Sequence, residues 1–400
     1  MNITNAELRV ILDSRGKETL AARLFDNNGN SAEAMAPSGT SRSEYEAVPF
    51  AGNSAEKSVE EFKQYKSKLV GMEPEQKGID SMLHEIDGTE NFSKIGGNAA
   101  TAISIAAAKL AAAEANLELY QYIYENFTKK LGIKKKIPGL LGNVIGGGVH
   151  SHNKMSIQEI LLATSSGSVM ENAKKNIAIH SAIGAYLQSK DLATGLNIEN
   201  AWNTKLDDSS ALALASDQAS SNGTNIGIDC AASEFYKNGN YVFDNGKRIL
   251  DRQEYISFLL DLAQRNKIAY VEDPMDSNDA EGFAEITKAL KDQALIVGDD
   301  IYATNKKRLD NGISKGATTA ILIKVNQVGT LSDVLETVEL AHSHGIKTVV
   351  SHRSGETIDA FMSHLAVALG SEYIKCGIVG GERIAKINEL ARIESIERQL

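Results

Sequence analysis

The 400-residue chain is poor in cysteine, proline and tryptophan, with two, five and one of each. Two thiols, Cys230 and Cys376, make neither a disulfide framework nor a Cys-x-x-Cys zinc site. Basic residues are outnumbered, 42 Lys and Arg against 52 Asp and Glu, for a net charge of −10. A surface dedicated to nucleic acid or anionic lipid needs a basic face, so neither partner is expected. No apolar run reaches the roughly 18 residues of a membrane span. The alanine-rich stretch 99–115 is interrupted by Thr101, Ser104 and Lys109. Residues 1–10 carry Asn, Thr and Glu where a signal peptide would be apolar, so a soluble cytoplasmic protein is expected. Neither phosphate-binding glycine pattern, GxGxxG or GxxxxGK[ST], occurs. What is present is ordinary globular usage, 42% hydrophobic and 24% charged.

Two regimes follow along the chain. Residues 7–13 and 19–35 read as strands around a turn at Asn27–Asn30. Apolar residues at helical spacing (Val59, Phe62, Tyr65, Leu69) mark a helical region over 54–84, and 98–127 reads as one long helix or two. Strands followed by helices make a small α+β unit, 1–132. The basic stretch Lys129–Lys136 reads as a solvated linker ahead of Pro138. From 138 to 400, short apolar strands alternate with helices. Strands are expected near 157–162, 192–197, 225–230, 268–272, 294–298, 319–324, 347–351 and 372–375. Helices are expected at 252–264, 279–290, 330–343, 356–369 and 382–397. This is the signature of a TIM-type (β/α)8 barrel with an N-terminal α+β capping domain. An open doubly wound sheet is the alternative, and it wants the missing glycine fingerprint.

Successive strands end on one ionisable residue: Asp229, Glu272, Asp299, Lys324, His352 and Lys375. A helix N-cap would explain a lone Asp, and Asp273 and Asp300 could serve as caps. Lysines cannot cap, and six residues in register point to one barrel face, where barrel active sites are built. Three carboxylates there repel one another unless a cation lies between them, and hard oxygen donors suit Mg²⁺. Arg353 and the lysines would hold an anionic substrate. Cys230 and Cys376 each follow a site candidate, so both should face away from it as inert buried thiols.

Several stretches carry a more specific signal. They are Ile11-Leu-Asp-Ser-Arg-Gly16, Ala36-Pro-Ser-Gly-Thr-Ser41, Asp87-Gly-Thr-Glu-Asn91, Ile157-Gln-Glu159, Ile228-Asp-Cys-Ala-Ala-Ser-Glu-Phe-Tyr236 and Val271-Glu-Asp-Pro274. Val297-Gly-Asp-Asp300, Ile321-Leu-Ile-Lys-Val-Asn-Gln327, Ser351-His-Arg-Ser-Gly-Glu356 and Glu382-Arg-Ile-Ala-Lys386 complete the set. Together they resemble the enolases, phosphopyruvate hydratases, over nearly the whole chain. The resemblance implies Mg²⁺-dependent dehydration of 2-phosphoglycerate to phosphoenolpyruvate, with two Mg²⁺ per site and a homodimer or higher oligomer. Asp229, Glu272 and Asp299 would hold the first ion and Ser41 the second. Lys324 would remove the C2 proton, and a lowered pKa is expected for it when ringed by Mg²⁺ and Arg353. Arg353 and Ser354 would bind phosphate and Lys375 would face the substrate carboxylate. His150, His352 and Glu159 would line the pocket, Glu159 assisting the acid.

The acid itself falls where the chain departs from the family. The family's Gly-Asp-Glu-Gly-Gly loop is matched here by Thr194-Gly-Leu-Asn-Ile-Glu-Asn-Ala-Trp202, with Glu199 on the acid's position. Loss of glycines restricts the backbone, and Ile198 is expected either to desolvate Glu199 or to mark a loop that has lost this role. Gly146 and Val149 also replace the usual Asn and Ser before His150. Two alternatives therefore stay open: a lyase with a changed small phosphorylated acid as substrate, and a non-catalytic binding protein of the same fold.

Overall fold

The computed structural model describes residues 1–40, 43–148, 151, 155–243, 246 and 248–399. The chain opens with β1 (Ile3–Leu12), β2 (Glu18–Asp26) and β3 (Ser31–Met35), an antiparallel sheet in that order. Asp26 closes the expected turn, its Oδ1 accepting the N–H groups of Asn28 and Asn30 at 2.8 Å. Helices α1 (Ala55–Leu69), α2 (Gln76–Asp87) and α3 (Gly97–Glu114) follow. Small side chains let α3 lie close against β2 and β3, and it is buried almost all round. The chain breaks after Ala115, where Asn116 turns left-handed (φ 52°), and resumes as the short α4 (Leu119–Ile123). Two helices, not one, therefore occupy 98–127.

The second region begins with β4 (Gly139–Gly146) and β5 (Glu159–Thr164), then α5 (Val169–Ser189), the hairpin β6 (Ala193–Leu196) and β7 (Trp202–Thr204), and α6 (Asp208–Ser221). β8 (Asn225–Asp229) precedes a small sheet of β9 (Tyr236–Lys237), β10 (Asn240–Phe243) and β11 (Arg248–Leu250). Strand and helix then alternate: α7 (Arg252–Arg265), β12 (Tyr270–Glu272), α8 (Ala280–Leu290), β13 (Leu295–Gly298), α9 (Lys306–Lys315) and β14 (Ala320–Ile323). The chain ends with α10 (Val325–Val328), α11 (Leu331–Ser343), β15 (Lys347–Ser351), α12 (Phe361–Ala368), β16 (Tyr373–Lys375) and α13 (Gly381–Glu397). The barrel runs β4-β5-β8-β12-β13-β14-β15-β16 and closes through parallel pairing of β16 with β4.

Some readings of the sequence need correction. The strand expected at 192–197 is not a barrel stave: it is β6, in a hairpin appended through β7 to β4. The stave overlooked is β4, whose Gly-Leu-Leu-Gly-Asn-Val-Ile-Gly run is buried throughout and so shows no alternation. β5 is also antiparallel to both neighbours, so the barrel starts as ββαα before regular βα alternation sets in. The basic stretch before Pro138 is exposed at Lys134 and Lys136, as expected of a solvated linker, and ion pairs tie it down. Lys135 Nζ sits 2.6 and 2.7 Å from the Glu397 oxygens, and Lys136 pairs with Glu372 at 2.9 Å. The helix expected from 356 starts only at Phe361, because Glu356 turns inward to Lys386 and the Arg353 N–H.

Strand period 2 sorts the barrel interior into layers. Leu161, Tyr270, Val297, Leu322 and Val349 form an apolar layer. Two residues on from Tyr270, Val297 and Leu322 come Glu272, Asp299 and Lys324. The side chain between, such as Val271 or Ile323, joins the outer core against the helices. Cys230 and Cys376 belong to that outer core, and burial pushes the Cys376 thiol up to about 12. Each apolar side chain of the inner layer contributes roughly 1.5–3 kcal/mol by burial. Each buried ion above it costs several kcal/mol before pairing, so the charged layer is not explained by stability. Among the described residues, no helix is long and apolar enough to cross a membrane.

Candidate active site

A cleft of about 600 Å³ opens over the charged layer. At its floor lies the Lys375 ammonium, 2.8 Å from Glu159 Oε2, 3.0 Å from Asp229 Oδ2 and 2.8 Å from Glu272 Oε1. All four side chains are buried. β8 and β12 run in register, placing Asp229 beside Glu272. Burial and the neighbouring Asp229 hold the Glu272 carboxyl up at about 8, although Lys375 pulls it down. Burial also lowers the Lys375 basicity, but the surrounding carboxylates outweigh it and keep the ammonium charged.

Lys324 points into the same layer from the end of β14. Its Nζ is 2.5 Å from Asp299 Oδ2, and Gln327 Nε2 donates to Asp299 Oδ1 at 3.2 Å. Burial alone would lower Lys324 and raise Asp299. The ion pair overrides burial in both, so Lys324 is raised and Asp299 lowered. Arg353 lowers Lys324, as expected, and the neighbouring Asp299 carboxylate outweighs it.

Arg353 donates to Glu46 Oε2 at 2.9 Å and to Asn326 Oδ1 at 3.3 Å. Ser354 Oγ lies 2.6 Å from Thr40 Oγ1, and Arg15 reaches both hydroxyls, at 3.3 and 2.8 Å. The Arg15 guanidinium is itself held by Asp13 (2.7 and 3.1 Å). Two arginines and two hydroxyls thus border one end of the cleft.

The other end belongs to Glu159, Glu199 and His352. Glu199 is buried and accepts from Asn143 Nδ2 at 3.2 Å. Burial, then Glu199, raises the Glu159 carboxyl well above the usual range. The two glutamate side chains are hydrogen-bonded to one another, which favours the protonated form of Glu159. Arg383, fully buried, donates to His352 Nδ1 at 2.7 Å. Guanidinium only donates, so His352 carries its proton on Nε2, which faces Glu199 Oε2 at 3.9 Å. Burial, then Arg383, keeps that imidazole neutral. The altered loop has not withdrawn Glu199 from the cleft. Glu199 is 3% exposed, whereas Ile198 beside it is 38% exposed.

The donor set suits Mg²⁺ in type: buried carboxylates with hard oxygens, one of them held up at about 8 by burial and Asp229. Asp229, Glu272 and Asp299 do not close on a common point, because Lys375 holds the first two and Lys324 the third. Among the described residues of the cleft, the three carboxylates whose oxygens all lie within 4.8 Å of one another are Asp273, Asp299 and Asp300. Asp273 is spent on the N–H groups of Asp299 (2.9 Å) and Asp300 (2.7 Å), which makes it a turn brace, not a helix cap.

Nine of the twelve sequence candidates line the cleft, Glu159, Glu199, Asp229, Asp299, Lys324, His352, Arg353, Ser354 and Lys375, and a tenth, Glu272, lies against Lys375. Ser41 and His150 lie outside the described residues. Sequence reasoning gave no role to Arg15, Glu46, Gln327 or Arg383. Arg15, Gln327 and Arg383 fall inside the matching stretches, which was the available signal. Glu46 carried none, since a single Glu seven residues after Gly39 has no period to betray it.

Comparison with known proteins agrees over the full length. The family model described as "Enolase, N-terminal domain" matches residues 3–123, and "Enolase, C-terminal TIM barrel domain" matches 134–398. The chain is 42% identical over 402 residues to the enolase of Picrophilus torridus, covering 98% of each chain. It is 41% identical to that of Thermoplasma acidophilum, again covering 98% of each. With Natronomonas pharaonis enolase it shares 41% identity, over 98% of this chain and 99% of the other. A barrel crowned by buried carboxylates and lysines, matched end to end at this identity, places the chain in the enolase family.

Proposed function

We propose a division of labour for the dehydration of 2-phosphoglycerate to phosphoenolpyruvate, the glycolytic hydro-lyase reaction of this enzyme family. One observation carries it. Lys324 on β14 and Glu159 on β5 come from diametrically opposite staves of the barrel, four apart in either direction. Dehydration needs a base for the C2 proton and an acid for the C3 hydroxide on opposite faces of the substrate.

Lys324 takes the C2 proton as the C2–H bond breaks. The electron pair forms the C2–C3 double bond and the C3–O bond breaks. The departing hydroxide takes a proton from Glu199, assisted by Glu159, and leaves as water. Arg353 and Ser354 hold the phosphate, Lys375 faces the carboxylate, and neutral His352 offers its Nε2–H beside Glu199. Asp229, Glu272 and Asp299 would hold Mg²⁺, with Ser41 assigned to a second ion and His150 to the pocket wall. When bound, the two ions supply positive charge to the carboxylate on which the intermediate's charge develops. Lys324 must shed its proton to act, so Asp299 has to be drawn off it first. The working unit has a domain at 1–132 and a catalytic domain at 138–400. It is a cytoplasmic homodimer.

Ultraviolet absorbance of phosphoenolpyruvate formed from 2-phosphoglycerate, with Mg²⁺ and then with chelator, tests the reading. Metal-dependent product is expected, abolished in Lys324→Ala. Glu199→Gln should retain exchange of the C2 proton with solvent deuterium while elimination stops. Turnover by Lys324→Ala, or unimpaired elimination by Glu199→Gln, would overturn the assignments.

A further inference from the structure

The loop carrying Glu199 has none of the glycines expected around an acid there, yet its backbone is held from both sides. Asn197 Oδ1 accepts the N–H groups of Glu199 (2.9 Å) and Ala201 (3.0 Å). The Asn197 N–H closes the loop on the Ala201 carbonyl at 2.8 Å. Asn200 takes the left-handed position (φ 63°), a conformation asparagine tolerates better than other residues with a side chain. Room for the Asn197 carboxamide comes from Gly146 on β4: a Cβ there would lie 2.1 Å from Asn197 Nδ2.

Helix α5 grips the far side. His180 Nε2 is 2.9 Å from the Asn200 carbonyl, which can only accept, so Nε2 carries the proton. Trp202 Nε1–H donates in return to the His180 carbonyl at 2.9 Å. The two rings lie 5.5 Å apart. The indole fills a notch one turn on, where a Cβ on Gly184 would come within 2.2 Å of Trp202 Cζ2.

We propose that Asn197 and His180 are positioning residues that aim Glu199 at the leaving group. The proposal rests on Glu199 being the acid. Neither residue lies in the cleft, so each acts only through the backbone of residues 199–201. A mis-aimed acid slows protonation of the hydroxide but leaves Lys324 able to remove the C2 proton. The two half-reactions should therefore separate.

The test compares elimination of 2-phosphoglycerate with C2 hydrogen–deuterium exchange, at saturating Mg²⁺, in Asn197→Ala, His180→Leu and His180→Gln. Elimination is expected to fall tenfold or more in Asn197→Ala and His180→Leu, with exchange within twofold of the native rate. His180→Gln keeps a donor near the position of Nε2 and should recover most of the loss. Fluorescence of Trp202, the only tryptophan, should shift in His180→Leu and return in His180→Gln. Three results would overturn the proposal: elimination within twofold of native in both loss variants, exchange and elimination falling in parallel, or no recovery with Gln. Failure of the underlying reading is distinguishable, because Glu199→Gln would then eliminate normally whatever the clamp variants do.

Discussion

Magnesium binding should expel a proton from this enzyme, and the carboxylate layer says how much. Glu272 goes from the ordinary glutamate value of 4.5 to about 8 in the folded metal-free site. At about 1.4 kcal/mol per pH unit, burial and Asp229 together cost the ionised form about 5 kcal/mol. A group titrating at about 8 is roughly nine-tenths protonated at pH 7, and a cation on its oxygens takes the proton's place. Calorimetry of Mg²⁺ binding in buffers of different ionisation heat should therefore show close to one proton released at pH 7 and little at pH 9. Affinity should rise nearly tenfold per pH unit up to about 8. The same shift sets a stability profile. A carboxyl raised by folding binds more protons folded than unfolded, so stability falls as pH rises from 4.5 towards 8. His352 and His180, both lowered by burial, act in the opposite sense, but only below their ordinary value of 6.5. Above pH 7 both are largely neutral in either state. Between pH 7 and 8 the metal-free protein should lose about 1 kcal/mol through Glu272, with Asp300, raised to about 7, adding in the same sense, and saturating Mg²⁺ should flatten the slope. Binding without proton release at pH 7, or an equal slope with and without metal, would refute the reasoning.

Two further outcomes follow from buried pairs beside the cleft. Lys386→Met leaves Glu356, its partner at 2.8 Å, as an uncompensated buried charge. Stability should fall by about 3–5 kcal/mol, read by denaturant titration, and a loss under 1 kcal/mol would show that the pair carries little. Arg383→Met removes the donor that fixes the His352 tautomer. Imidazole ¹⁵N shifts should move from the Nε2–H form to a tautomer mixture, with elimination slowed; unchanged shifts would assign the tautomer to another partner.

Much of the site was legible from the chain because a parallel barrel converts sequence period into place. Each βα unit returns the strand end to the same rim, so Glu272, Asp299, Lys324 and Lys375 could be grouped from spacing alone. Local composition likewise announced the N-terminal turn at Asn27–Asn30 and the inert, outward-facing cysteines. β4 escaped because a strand buried on both faces has no alternation. The hairpin β6–β7 was mistaken for a stave for the complementary reason: a short apolar run does not reveal which sheet it joins.

Other features were decided only when distant residues met. Gly146 and the altered loop around Glu199 looked like unrelated departures, and they meet in one contact, the missing Cβ of Gly146 making room for the Asn197 carboxamide. The loop that bears Glu199 is bonded to His180 and Trp202, which no local pattern links to it. Lys324 is raised and not lowered because Asp299 lies 2.5 Å away, a distance set by two staves packing side by side. Sequence by itself determined which residues bear charge and which rim of the barrel they reach, since those follow from residue type and backbone period. Tertiary structure alone decided who neutralises whom, because electrostatic partnership depends on distance and burial, which close packing fixes to a few tenths of an ångström.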